Sequence, residues 1–388
     1  MPGQRFTPRL VEGMVRLGVA LPFGQVPALL AHFAGVTVSA ETVRRLTEAV
    51  GAAQLAREDA ALAKIMRALP DPPAGPPVQQ LSLDGAMVPL VGGAWAEVKT
   101  LAIGTVEQAA ADDEAPRVRT TTLSYLSRLA DAASFGQLAT LETHRRGTLQ
   151  AGTVVAVNDG AVWIQELLDL QCPQAVRILD FAHAAEHLGQ VAQTLWGMGS
   201  VDAQTWLTAQ LDALLDGAEE SVLARLAALG EDPELPAEAR QVTAACHGYF
   251  ASRGEQIRYA GFRAAGYPIG SGCVESANKL LVEARLKGAG MHWQRAHVNA
   301  LLALRCLERN GRWTDEWSAL WQAVRGQART RARQRHHRQP PAPPLPRPPE
   351  PPPVPDPRQR PARPKLVVNG KPTANHPWRR SSPFTAKP

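Results

Sequence analysis

The chain has 388 residues, of which 45 % are apolar and 20 % charged, a balance that suits about two or three domains with real cores. No apolar run approaches the roughly 18 residues of a membrane span, and the first residues, MPGQRFTPRL, lack the apolar stretch of a signal peptide. Cys172, Cys246, Cys273 and Cys306 form neither a CxxC knuckle nor a disulfide framework. A secreted mini-scaffold, a membrane protein and a zinc finger are thereby disfavoured, and a cytoplasmic protein is expected. The net charge of +6 is uneven, because residues 325–388 hold 12 Arg and 3 Lys against only Glu350 and Asp356. A basic tail on a mildly acidic body suits a polyanion partner; a solvated tail without a dedicated partner has the same composition.

Residues 1–66 read as helical. Val26, Leu29, Leu30 and Phe33 recur at helical spacing, and Ala34-Gly35-Val36-Thr37-Val38 interrupts the pattern. Ser39 then caps a second helix carrying Thr42, Val43, Leu46 and Val50, with Arg44 and Arg45 on a more exposed face. Two short helices around a glycine-containing turn resemble a helix-turn-helix, which makes Ser39, Thr42, Arg44 and Arg45 candidate DNA-binding residues. An ordinary helical hairpin has the same pattern. The proline-rich run from Pro70 to Pro77 marks a linker, taken as residues 67–78.

Beyond it the period changes to that of strands. Leu81-Ser82-Leu83-Asp84 alternates, Gly85 marks a break or bulge, and Val91-Gly92-Gly93 turns into a second strand from Ala94 to Val106. Val118–Leu123 suits a third strand, and Tyr125 to about Arg146 a helix. Thr153–Val157 is a short apolar strand ended by Asn158-Asp159-Gly160, a helix follows near Ala161–Leu170, and Val176–Leu179 is a strand ended by Asp180. A three-strand meander followed by β-α-β is an α/β pattern with a mixed sheet. Residues 181–262 read as a block of helices, with Trp196 and Trp206 as core or docking residues. A glycine-rich turn, Gly266-Tyr267-Pro268-Ile269-Gly270-Ser271-Gly272, precedes a helix over Cys273–Leu286 and another over Ala296–Arg309. From Pro340 onward the prolines are too dense for helices or central strands, and the tail reads as disordered.

Three carboxylates stand at the ends of these elements. Asp84 ends the first strand, pointing away from Leu81 and Leu83; Asp159 ends the fourth; Glu275 opens the helix after the glycine-rich turn. Sites gather at strand ends of α/β sheets. Three acids converging there would repel one another unless divalent cations lay between them, and Mg²⁺, a hard ion that prefers oxygen ligands, suits them. Two such ions, with Mn²⁺ as a substitute, would activate the attacking oxygen and stabilise the leaving oxygen of a phosphodiester. No G-x-S-x-G elbow and no P-loop supports another chemistry.

The stretches LSLDGAMVPLVGGAWAEVKTLAIGTV, VVAVNDGAVWI, RILDFAHAAEHL and RYAGFRAAGYPIGSGCVESANKLLVEARLKGAGMHW, with KLVVNGKPTANHPWR near the C-terminus, resemble DDE transposases of bacterial insertion sequences, of the Kra-type group related to the Mutator superfamily. The resemblance covers most of residues 20–310. It implies an RNase H-like mixed-sheet core interrupted by an all-helical insertion: 79–184 and 265–324 as the two parts of the core, 185–264 as the insertion, 1–66 as the DNA-binding module and 325–388 as the basic tail. It implies Asp84, Asp159 and Glu275 as the catalytic, metal-binding acids. Asp180-Phe181-Ala182-His183 matches the group's Asp-x-x-His block, which makes Asp180 and His183 auxiliary residues; His183 serves a phosphate or ligand, or is structural. Asp180 is an alternative second acid, and Glu283 a weaker alternative third. The expected partner is double-stranded DNA, as element ends and as target, bound by a homo-oligomer in the bacterial nucleoid. The expected activity is DNA cutting and joining. A catalytically dead remnant that only binds DNA, and a nuclease that hydrolyses without strand transfer, are the competing readings. Relatives often carry a cysteine-rich module ahead of the helix pair, and no such cysteines occur here.

Overall fold

The computed structural model describes residues 6–68, 70–109 and 117–338. The chain divides into a body, Met1–Ala332, and a C-terminal unit, Arg333–Pro388. Three helices come first: α1 (Pro8–Ala20), α2 (Val26–Ala34) and α3 (Ala40–Ala68). Gly35, at φ +62°, ends α2 in the left-handed conformation that glycine adopts freely. Ser39 Oγ accepts from the Thr42 amide at 3.1 Å and starts α3. A small core of Met14, Val26, Leu30 and Val43 joins these helices. They are not an appended module, since Val11, Val15 and Val19 of α1 and Val50 and Ala53 of α3 share the largest core with the sheet.

Five strands, β1 (Val78–Pro89), β2 (Trp95–Ala109), β3 (Arg117–Arg128), β4 (Thr153–Asn158) and β5 (Val176–Leu179), form one mixed sheet in the order β3-β2-β1-β4-β5. β1, β2 and β3 are antiparallel neighbours, while β4 runs parallel to β1 and β5 parallel to β4. The chain is therefore mixed α/β. The strands run longer than the sequence reading, most of all at the ends of β1 and β3. β1 does not end at Asp84 but continues in regular register through Gly85, which faces Lys99; a side chain there would collide with Glu97, so the glycine makes room rather than a bulge. Residues Tyr125–Arg128, expected as helix, extend β3 because they pair with Lys99–Ala102. The helix α4 (Ala132–Arg145) begins only after Asp131, whose side chain accepts from the Ser134 amide at 2.8 Å.

Residues 70–77 form neither helix nor strand. They are nevertheless fastened, as the Gly152 and Thr153 amides donate to the Pro76 and Pro77 carbonyls at 3.0 and 2.8 Å. α4 and α5 (Val162–Gln171) cover one sheet face, packing Phe135, Ala139, Ile164 and Leu167 on Leu81, Leu83 and Ala156. The other face carries two groups of helices. On Val155, Val157 and Ile178 lie helices of the block α6 (Phe181–Trp196), α7 (Val201–Leu215), α8 (Glu219–Glu231) and α9 (Ala237–Ala251), with α10 (Tyr259–Ala264) after them. Trp196 and Trp206 of that block pack together at 5.5 Å.

On Ala86, Val88 and Val98 lie α11 (Gly272–Ala277), a π-helical stretch (Asn278–Glu283), α12 (Ala284–Leu286) and α13 (Arg295–Arg309). α14 (Trp313–Arg338) opens with Trp313, Trp317 and Trp321 stacked at 5.8 and 6.3 Å. It carries helix into the segment expected as an unstructured tail, because Ala, Gln and Arg are good helix formers and the first proline there is Pro340. The rest of the expected tail, 339–388, lies outside the described residues. No helix among the described residues is long and apolar enough to cross a membrane.

Candidate active site

β1 and β4 run side by side with Leu81 opposite Ala156. Asp84 lies three residues beyond the last β1 residue paired to β4, and Asp159 directly follows the end of β4. The Asn158 side chain accepts from the Leu83 amide at 2.6 Å and closes the seam just before them. Strand alternation puts Asp84 on the face of Ala86 and Val88, away from α4 and α5. Over that face passes the glycine-rich turn with α11, held down where Gln80 Nε2 donates to the Gly270 carbonyl at 3.0 Å. Glu275, in the first turn of α11, is exposed.

The Asp84 carboxylate is half-buried and receives two hydrogen bonds, from the Gly85 amide at 2.6 Å and from Asn278 Nδ2 at 2.7 Å. Its pKa is nonetheless raised. Burial is the largest cause, the two hydrogen bonds pull the other way, and the negative charges of Asp159 and Glu275 push it further up. Two acids from distant parts of the chain thus act electrostatically on Asp84. Asp159 Oδ1 accepts from the Ala161 amide at 2.9 Å. Among the described residues no three His, Cys, Asp or Glu side chains stand together at the spacing of a ready-formed metal site. The donor chemistry of the acids, all hard oxygens whose mutual repulsion a cation would relieve, fits Mg²⁺.

Asp180 is placed differently. It is 5 % exposed, its Oδ1 accepts from the Ser271 amide at 3.1 Å, and the next amide, Phe181, donates to the Ile269 carbonyl at 3.0 Å. It fastens the glycine-rich turn to the start of α6. Glu283 forms an ion pair with Lys287 at 2.7 Å. His183 and His187 approach through their Nε2 atoms at 3.2 Å. Burial and the neighbouring His183 hold His187 below the usual histidine range.

Four residues near the acids went unnoticed in the sequence. Asn278 lies three positions after Glu275, a helical spacing that could have marked it. Tyr249 donates through its hydroxyl to the Asp159 carbonyl, Arg253 donates to the Gly160 carbonyl at 2.9 Å, and His187 stacks on Tyr249 at 4.2 Å. Nothing in α9's own sequence points to Asp159, 90 residues before Tyr249.

Of the candidate DNA-binding residues, Ser39 and Thr42 bond each other, their hydroxyls 3.0 Å apart, at the start of α3. Arg44 is held by Glu41 and Glu48 at 2.7 and 2.8 Å. Arg45 is exposed and borders a groove of about 1200 Å³ between α3, α13 and α14, along which Arg325, Arg329 and Arg331 also lie. No protein-family model matches the chain, and no curated protein is significantly similar to it.

Proposed function

We propose that the protein is a DNA transposase of the DDE type, built on an RNase H-like core with α6–α10 as the helical insertion. The observation that carries the reading is that Asp159, just after β4, and Glu275, at the start of α11, both act electrostatically on Asp84 in the neighbouring strand β1. The sheet order 3-2-1-4-5, with its antiparallel meander and parallel β4 and β5, supports it, as does the helical block between β5 and α11. The proposed reaction is hydrolysis of a phosphodiester at the element end, which frees a 3′-OH, followed by in-line attack of that 3′-OH on target DNA.

Asp84, Asp159 and Glu275 would hold Mg²⁺, which when bound supplies Lewis-acid stabilisation of the phosphoryl oxygens. Asn278 and the Gly85 amide orient Asp84, while the Ala161 amide orients Asp159. Glu275, exposed on a flexible side chain, is the acid best able to adjust to a substrate. Arg45 and the α14 arginines form a cationic border suited to a phosphate backbone. The test is cleavage of labelled duplexes carrying the DNA that flanks the gene. Mg²⁺-dependent nicking that disappears in Asp84→Asn and Glu275→Gln, with duplex binding retained, is the expected result. Nicking that survives both substitutions would refute the assignment.

A further inference from the structure

We propose that the end of α9 and the residues just after it position the second acid, with Tyr249 and Arg253 gripping the backbone of the Asp159-Gly160 turn so that the Asp159 carboxylate is held in place. The inference rests on the reading of Asp159 as a catalytic acid and extends it to residues 90 or more positions away. The Tyr249 hydroxyl donates to the Asp159 carbonyl, and Arg253 Nη2 donates to the Gly160 carbonyl at 2.9 Å. Arg253 also donates to the Tyr249 carbonyl at 3.0 Å and lies over the Tyr249 ring at 4.0 Å. The ring of His187 stacks on Tyr249 at 4.2 Å and 22°. Tyr249 is therefore held by both neighbours, and its hydroxyl has little freedom to leave the carbonyl.

The turn is shaped to be gripped. Gly160 has φ +78°, and a Cβ there would lie 2.6 Å from Arg253 Nε and 3.0 Å from the Tyr249 hydroxyl. Only a glycine allows the backbone this close. The grip reaches the carboxylate because Asp159 Oδ1 accepts from the Ala161 amide, on the far side of the same turn. A shift of the two carbonyls moves the Ala161 amide, and the carboxylate moves with it. Tyr249 and Arg253 are thus positioning residues, and α9, though part of the helical block, belongs functionally to the acid it holds.

Hydrogen–deuterium exchange of the peptide containing Ala161 tests this without metal or DNA, in the full-length protein with Tyr249→Phe, Arg253→Gln and the conservative Arg253→Lys. Exchange at Ala161 is expected to rise about tenfold in the first two, the scale of removing one intramolecular hydrogen bond, with the β4 amides Val155–Val157 unchanged and with partial recovery in Arg253→Lys. Calorimetric Mg²⁺ affinity and the single-turnover nicking rate are expected to fall in the same variants, with duplex affinity constant. Unchanged exchange at Ala161, or a rise shared equally by β4, overturns the proposal. If exchange rises but the unsubstituted protein neither binds Mg²⁺ nor nicks DNA, the grip stands and the transposase reading falls.

Discussion

Arg128 and Glu58 form an ion pair that joins β3 to α3 across 70 residues of sequence. They are 1 % and 6 % exposed, so the pair is fully withdrawn from water. Arg128 also donates to the Ser127 carbonyl at 2.7 Å, and Gln54 donates to Glu58 at 2.9 Å. Arg128→Met removes one charge and leaves Glu58 buried with only the Gln54 amide. Glu58→Met leaves a buried guanidinium with one carbonyl. Breaking such a pair from either side costs about 3–5 kcal/mol, whereas replacing both partners by apolar residues of similar size is often neutral or stabilising. The double variant is therefore expected to recover most of the loss. Urea denaturation followed by tryptophan fluorescence measures this, since Trp293 and Trp313 lie in the core that α3 shares with the sheet. Single substitutions costing under about 1 kcal/mol would refute the reasoning. So would a double variant no better than the worse single one. A separate early transition for the N-terminal helices would show that they melt apart from the sheet.

Other consequences are equally direct. Because the Asp84 pKa is raised in the folded protein, its ionised form costs stability at neutral pH; the cost is absent below the ordinary value of 3.8 and builds as pH rises through the folded value. Asp84→Asn is thus expected to raise the thermal midpoint at about pH 7 and to change it little at about pH 3; a lower midpoint at neutral pH would contradict this. Asp180→Asn is expected to loosen the Ser271 turn and lower the midpoint, while Asp159→Asn abolishes nicking. Full activity in Asp159→Asn, with a specific loss in Asp180→Asn and no loss of stability, would reverse the two roles. Removing residues 339–388 is expected to reduce the slope of log K against log salt for duplex binding by about 0.9 for each phosphate the segment neutralises, and an unchanged slope would mean the segment does not touch DNA. Arg45→Ala is expected to weaken duplex binding. Arg44→Ala leaves binding near its original value and costs α3 only a little stability, since surface ion pairs are weak; the opposite ranking in a binding titration would refute the pairing argument.

Much of the sheet was legible because its signals are local. Val91-Gly92-Gly93 supplies positive φ values at Gly92 and Gly93, and the runs Thr153–Val157 and Val176–Leu179 are too short and too branched for helices. The places of Asp159 just after β4 and of Glu275 in the first turn of α11 were readable for the same reason, whereas Asp84, read as the end of its strand, lies inside β1. What escaped depends on partners far along the chain. Tyr125–Arg128 looks helical until it pairs with Lys99–Ala102, and Gly85 looks like a break until Glu97 fills the space beside it. Arg44 and Arg45 are adjacent and chemically alike, and Glu41 and Glu48 lie one turn from both, so spacing does not show that both glutamates pair with Arg44 and leave Arg45 exposed. Tyr249 and Arg253 lie on or just beyond a helix whose own pattern records its packing and not the turn it holds.

The register of β1 against β4 also limits how this chain can change in length. A side chain on a strand changes face with every residue of slip, so one residue gained or lost between Leu81 and Asp84 would turn Asp84 toward α4 and α5, and one gained or lost between Ala156 and Asp159 would shift the Asp159 turn away from Tyr249 and Arg253. The loops between α6 and α9 face no such rule, since they connect helices whose packing does not count residues in pairs. Insertions and deletions should therefore accumulate in the helical block and be nearly absent from the short stretches Leu81–Asp84 and Ala156–Asp159, a footprint that randomised single-codon insertion with selection for nicking would reveal.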